Sequence, residues 1–170
     1  MIAGLILSDN LDEDCSLAFL GENLETFQVE TNEEIVELVE EKSPDVLAVD
    51  AGTEQGQKEF TKQEKELKEE GYIFTPNSHQ KRKVERMQSL ERHLNHSMGG
   101  QIEIIRFEPQ ITAKELAIDS EKDLRSIGVE GEIGNVEEFD ATLGAITARF
   151  YSQGQFDDYG VVVPEPLDNS

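Results

Sequence analysis

The sequence has little cysteine and few basic residues, and each shortage excludes certain classes of protein. Cys15 is the only cysteine among 170 residues, so no intrachain disulfide can form, and a reducing compartment fits. The apolar opening at 1–7 has no basic leader and is too short for a signal core or a membrane span. We therefore expect a cytoplasmic protein with no membrane partner.

Positive charge is also scarce. Lys and Arg number 15 against 37 Asp and Glu, which gives a net charge of −22. An excess of this size repels nucleic acid and anionic membranes at ordinary salt, which disfavours a diffuse phosphate-binding surface. Two explanations stay open: a basic protein partner, or a cell with a high-salt cytoplasm. The even spread of acidic residues along the chain favours high-salt adaptation. In molar salt the Debye length is about 3 Å, so the net charge would then exclude few partners.

Hydrophobic patterning predicts one α/β domain over 1–170. Apolar or alternating runs predict strands at 2–7, 15–20, 26–29, 46–49, 102–107 and 161–163. Periodicity and capping pairs predict a helix after Thr31 and others at 59–70, 81–96, 112–117, 120–126 and 135–151. Charged helical segments predominate at 53–100, and we interpret this block as a helical insertion laid over the sheet.

The order of these elements predicts a mixed five-stranded sheet flanked by helices. Three strands, a helix and a fourth strand precede the insertion, and a fifth strand and a late helix follow it. This order matches the RNase H-like fold. Another three-layer α/β fold is the alternative.

Two aspartates stand where a site is expected. Asp50 follows the apolar run 46–49, and ligands gather where the strands of an α/β sheet end. Asp140 flanks the apolar face of the late helix, with Gly144 and Thr147 on the same stripe. A carboxylate there is partly desolvated and needs a cation, hydrogen bonds or a proton. Both are candidate catalytic and metal-binding residues; the alternatives are a turn or cap for Asp50 and a helix-dipole position for Asp140.

Two further acids are candidates to assist them. Asp9 follows the first strand in an acid-rich turn without the spacing of a calcium loop, so a solvated turn is the alternative to a metal ligand. Glu108 follows the fifth strand, just before Pro109, where it would join a catalytic carboxylate cluster. Arg106, two residues earlier on the same face, is equally suited to pair with Glu108.

One basic segment is a credible source of phosphate contacts. Residues 79–96 carry five Lys or Arg against two Glu, a local charge of +3. The candidate nucleic-acid-binding residues in it are Lys81, Arg82, Lys83 and Arg86. The alternative is that this segment pairs with the acidic helix predicted at 59–70.

Five segments, taken in order and spacing, carry a resemblance to a known family. They are Val46-Leu47-Ala48-Val49-Asp50-Ala51, Glu64-Lys65-Glu66-Leu67 before Gly71, Ile104-Ile105-Arg106-Phe107-Glu108-Pro109, Phe139-Asp140-Ala141-Thr142-Leu143 through Thr147-Ala148, and Val161-Val162-Val163-Pro164. With these segments the chain resembles a family of uncharacterised prokaryotic proteins described as predicted nucleases with an RNase H-like fold. The resemblance runs over most of the chain.

The resemblance implies a carboxylate cluster that binds Mg²⁺ or Mn²⁺ for phosphodiester hydrolysis, with Asp50 and Asp140 as ligands. Ile6, however, stands near the place where RNase H-like enzymes carry a first-strand aspartate. Two hypotheses follow. The chain is a metal-dependent nuclease-like enzyme acting on nucleic acid, or it is a non-catalytic RNase H-like binding protein. The sequence leaves its oligomeric state open.

Overall fold

A five-stranded sheet forms the centre of the molecule. The computed structural model describes residues 1–8, 13–53 and 60–166. The strands are β1 (Ile2–Ile6), β2 (Cys15–Leu20), β3 (Leu24–Val29), β4 (Val46–Val49) and β5 (Glu103–Arg106). Their order is β3-β2-β1-β4-β5; β2 is antiparallel to both neighbours, whereas β1, β4 and β5 are parallel. Because these three strands are parallel, the residues that follow them lie at one edge of the sheet.

Helices lie in the connections between strands and, in the sequence, after the last strand of the sheet. Those in the described ranges are α1 (Asn32–Lys42), α2 (Lys62–Glu69), α3 (Lys81–Met98), α4 (Pro109–Leu116), α5 (Glu121–Ser126) and α6 (Val136–Ser152). A 3₁₀ turn at Asn77–His79 precedes α3. A small antiparallel pair, β6 (Phe156–Asp158) and β7 (Val162–Pro164), follows α6.

Local chemistry fixes the ends of α1. The Thr31 side chain accepts a hydrogen bond from the backbone N–H of Glu34, which satisfies one free donor of the first turn. Ser43 ends the helix in the left-handed conformation, with φ at 50°, directly before Pro44. A residue before proline avoids helical geometry, so the chain leaves the helix here and enters β4.

The helices cover both faces of the sheet. Successive side chains of a strand point to opposite faces, and β1 follows this rule. Ala3 and Leu5 belong to the core that includes α1 and α3, whereas Ile2 and Ile6 pack in the core that includes α6. The layers are therefore helix, sheet and helix, with α6 crossing over β1 and β2.

Two glycines allow α6 to approach β1 closely. A Cβ atom on Gly4 would overlap the Ala141 carbonyl oxygen and lie 2.5 Å from the Ala145 nitrogen, and one on Gly144 would lie 2.7 Å from the Phe107 ring. Such distances are too short for real contacts, so any side chain on Gly4 would push the helix off the sheet.

The predicted order of strands and helices is confirmed, and β1 to β5 begin and end within two residues of their predicted bounds. Strand β6 was not expected, because Phe156-Asp157-Asp158 has no alternating apolar pattern. Between 53 and 100 the structure describes α2, the 3₁₀ turn and α3, and α3 contributes Met87, Leu90 and Leu94 to the core beneath it. The treatment of this block as an insertion within a single domain stays a prediction.

In the described ranges, no helix has both the length and the apolar character that crossing a bilayer requires.

Candidate functional site

Asp50 lies in a buried charged site at the carboxyl end of β4. The backbone N–H of Leu7 donates a 2.9 Å hydrogen bond to Asp50 Oδ1, and Lys83 Nζ forms an ion pair with Asp50 Oδ2. The Asp50 and Lys83 side chains are 8% and 15% exposed. Burial raises the pKa of Asp50, whereas Lys83 and the Leu7 N–H oppose that rise. Both oxygens of this carboxylate are therefore engaged by groups of the chain itself.

Lys83 acts on more than one carboxyl group. It stands in the first turn of α3, and its charge opposes the rise that burial causes in the pKa of three acids at this edge of the sheet. A single charge has such an effect over short distances in a partly buried environment. We therefore treat four side chains as one unit, called below the carboxylate cluster: Asp50, Glu108, Asp140 and Lys83.

Glu108 is incompletely satisfied in this cluster. It is 8% exposed at the start of α4, and its Oε1 atom has no hydrogen-bond partner in the described part of the chain. Arg106 Nη2 lies 3.6 Å from Oε1, which is too long for a hydrogen bond. Burial raises the pKa of Glu108 from 4.5 to about 7; Asp50 adds to the rise, and Arg106 and Lys83 oppose it.

Asp140 reaches the cluster from α6. Partial burial raises the pKa of Asp140 from 3.8 to about 6, the charges of Asp50 and Glu137 add to the rise, and Lys83 opposes it. The charge of Asp50 thus acts on Asp140, although the two residues are far apart in the sequence.

Arg106 is shared between two acids. Its Nη1 atom lies 3.0 Å from Glu64 Oε2, closer than the 3.6 Å that separates Nη2 from Glu108 Oε1. Glu64 is 1% exposed and also accepts hydrogen bonds from the backbone N–H groups of Thr61 and Asn77. Sequence reasoning considered Glu108 as the partner of Arg106 and missed Glu64. The available signal was the capping-box spacing of Thr61 and Glu64, which fixes this glutamate at the start of α2.

The four predicted nucleic-acid-binding residues divide into two pairs. Lys81 and Arg82 are exposed, whereas Lys83 pairs with Asp50. Arg86 is buried, and its guanidinium donates to three acceptors: Asn32 Oδ1, the Ser8 carbonyl and the Glu30 carbonyl. Two of the four cations are thus used inside the fold.

The first strand contributes Ile6 to this region. Its side chain is half-buried and borders the same surface depression as Lys83 and Glu137. Asp9 lies outside the described residues, so its role as a metal ligand stays a prediction.

The four side chains of the cluster, all within the described residues, do not by themselves fit a divalent ion as they are arranged. Mg²⁺ needs near-octahedral oxygen ligands at about 2.0–2.1 Å around one point. Asp50 gives one oxygen to the Leu7 N–H and the other to Lys83. Within the described residues, no three His, Cys, Asp or Glu side chains form a group that could hold an ion. The Lys83 ammonium group supplies the positive charge that Asp50 requires.

A groove opens beside the cluster, and we name it the α6 groove. It has a volume of about 970 Å³, and Glu108 and Asp140 both line it. Its other lining includes an apolar set: Ile118, Ile133, Val136, Phe139 and Leu143. The cluster therefore borders a concave surface large enough to receive a side chain or a short segment of another molecule.

The mixed five-stranded sheet with helices on both faces is the RNase H-like fold, and comparison with solved structures shows this. T. thermophilus RuvC in complex with a Holliday junction substrate matches with a TM-score of 0.60 and 16% identity, over 95% of this chain and 97% of that one. A Thermus thermophilus RuvC structure matches with a TM-score of 0.52 and 13% identity, over 96% and 99%. At these identities the similarity shows the fold alone. No family model and no curated protein matches the sequence.

Proposed function

We propose that this chain is a non-catalytic RNase H-like protein that binds a partner at the edge of the sheet where the carboxylate cluster lies. The ion pair between Lys83 and Asp50 is the observation that carries the proposal. It supplies the central aspartate with a cation that belongs to the chain.

The chemistry of a lysine explains why this pair argues against catalysis. Two-metal phosphodiester hydrolysis needs ions about 3.5–4 Å apart that stabilise both the attacking and the leaving oxygen. An ammonium group balances one negative charge, but it cannot take a water molecule as a ligand and lower its pKa as a metal ion does. Ile6 also offers no carboxylate at the end of β1. The absence of a carboxylate at Ile6 and the pairing of Asp50 with Lys83 support a binding role over hydrolysis.

A metal-dependent nuclease acting on nucleic-acid phosphodiesters is the second candidate. The electrostatic coupling of Asp50 with Glu108 and Asp140 favours it, because such carboxylates attract Mg²⁺ or Mn²⁺. In this account Asp50 and Asp140 are ligands, with Glu108 and Asp9 assisting. The exposed Lys81 and Arg82 contact the nucleic-acid backbone. This nuclease mechanism requires the ion pair between Lys83 and Asp50 to break, and the burial of that pair opposes its breaking.

A cleavage assay separates the two candidates. The purified chain is incubated in 1 M KCl with Mg²⁺ or Mn²⁺ and a labelled four-way DNA junction, duplex DNA or single-stranded RNA. The matched control is the Asp50→Asn, Asp140→Asn double variant. We expect no cleavage by the wild type above that of the control. Cleavage that the double variant abolishes would overturn the proposal and establish the second candidate.

A further inference from the structure

We infer that the α6 groove is a docking site for a basic, amphipathic segment of a partner protein. This inference rests on the proposed binding function and adds the chemistry of the partner. Three features support it: the apolar lining of the groove, the acidic charge of its rim, and the incompletely paired carboxylate of Glu108.

The lining of the groove is partly apolar and in part open to solvent. Val136 is 70% exposed at the start of α6, and Phe139 lies one turn further along the same helix. Contact between the exposed Val136 side chain and water is unfavourable. Its burial by a partner would stabilise the complex by roughly 25 cal/mol for each Å² of apolar surface removed from water. The partner must therefore present an apolar face to this helix.

The rim is acidic. Four carboxylates line the groove against two cations: Glu108, Asp119, Glu121 and Asp140 against Lys122 and Arg125. A neighbouring depression shares Glu121 with the groove, and its described lining contains three further glutamates and no Lys or Arg. This potential repels phosphate backbones and attracts Lys and Arg side chains, which selects a basic protein segment over a nucleic acid.

Glu108 supplies a specific anchor. Its side chain lines the groove and is nearly buried, and its Oε1 atom has no hydrogen-bond partner among the described residues. Leaving a buried acceptor unpaired is costly, and charge-assisted hydrogen bonds are stronger than neutral ones. Lys83 is paired with Asp50, and Arg106 lies closer to Glu64 than to Glu108. A Lys or Arg of the partner would therefore complete the pairing of the Glu108 carboxylate from the groove that its side chain lines.

Fluorescence anisotropy with defined probes tests this inference. The probe is a labelled amphipathic peptide of about 18 residues, with Leu on one helical face and Lys on the other. A peptide with Glu in place of every Lys and a labelled four-way DNA junction are the comparison probes. The titrations are made in 1 M KCl, where the Debye length is about 3 Å and diffuse attraction to the acidic chain is screened.

Two variants address the groove, and one addresses the rest of the surface. Val136→Ser removes the exposed apolar contact. Glu108→Gln removes the anchoring charge at nearly constant volume, provided that the titrations are made at pH 8.5, above the Glu108 pKa of about 7. Ile73→Ser is the matched control, because Ile73 is 81% exposed and does not line the groove. Circular dichroism of each variant verifies that it is folded.

The expected result is binding of the Lys peptide alone, weakened about fivefold by Val136→Ser, about tenfold by Glu108→Gln and not by Ile73→Ser. Equal affinity of the wild type and both groove variants would overturn the inference, as would tighter binding of the DNA junction than of the Lys peptide. Absence of peptide binding would overturn it as well. The cleavage assay is independent of these titrations, so the two proposals fail separately.

Discussion

Lys83 and Asp50 join α3 to the carboxyl end of β4 through an ion pair in which both side chains are largely buried. The pair connects the charged helical block to the central sheet, and Lys83 opposes the rise that burial causes in the pKa of Asp50. At this edge of the RNase H-like sheet, a lysine of the chain itself balances the charge of the buried aspartate.

Lys83→Met should destabilise the protein by roughly 3 kcal/mol, because it leaves the Asp50 charge buried without its partner. Adding Asp50→Asn to this variant removes the orphaned charge and should recover much of the loss. Guanidinium unfolding measures both changes. Lys81→Met is the matched control; Lys81 is exposed two residues earlier on the same helix, and we expect a change within about 0.5 kcal/mol. A Lys83→Met cost as small as that of the control would contradict the ion pair.

Glu108 should make folding more favourable as the pH falls. Its pKa in the folded protein is about 7 against an ordinary 4.5, so the folded state binds the proton more tightly than the unfolded state. This contribution is fully present below pH 4.5 and is lost as the pH rises through 7. Between pH 8 and pH 5 the wild type should gain about 2 kcal/mol of stability relative to Glu108→Gln.

The difference in stability between the wild type and Glu108→Gln is the quantity to measure, because taking the difference removes the contribution of Asp140, whose pKa is about 6. Urea unfolding at closely spaced pH values measures this difference in the free energy of unfolding. Parallel stability curves for the wild type and Glu108→Gln would show that the environment of Glu108 does not favour its protonated form.

Gly4→Ala should destabilise the fold by about 3 kcal/mol, because the added Cβ meets backbone atoms of α6 that cannot move without displacing the helix. Gly21→Ala is the control. A Cβ there would lie 3.4 Å from the flexible end of Met1, and we expect a change below about 1 kcal/mol. Thermal unfolding of the two variants checks this prediction; equal losses would mean that α6 does not rest on β1 as described.

The sheet was predictable from the sequence because its strands carry continuous or alternating apolar runs. Val46–Val49 is buried at every position, and the sequence there is apolar at every position. The end of α1 was predictable for a similar reason, since Ser43 stands before Pro44. The positions of Asp50 after β4 and of Asp140 beside the apolar face of α6 also followed from the sequence, whereas their roles in a site stay predictions.

The pairing of Lys83 was not predictable in the same way. A lysine among other basic residues on a charged helix is ordinarily solvated, and its partner Asp50 is 33 residues away in the sequence. The contacts of Arg86 were hidden for the same reason, because its acceptors are more than 50 residues away in the sequence and include two backbone carbonyls. Local patterns report which face of a helix is apolar, whereas these contacts depend on how the helix is placed over the sheet.

Manganese binding distinguishes a site neutralised by Lys83 from a metal site. Free Mn²⁺ is measured by electron paramagnetic resonance at high salt for the wild type and for the Asp50→Asn, Asp140→Asn double variant. The comparison subtracts weak binding to the acidic surface and needs no assumption about a substrate. If Lys83 supplies the cation for this site, the two titrations are identical; a tight site in the wild type that the double variant loses would contradict the account.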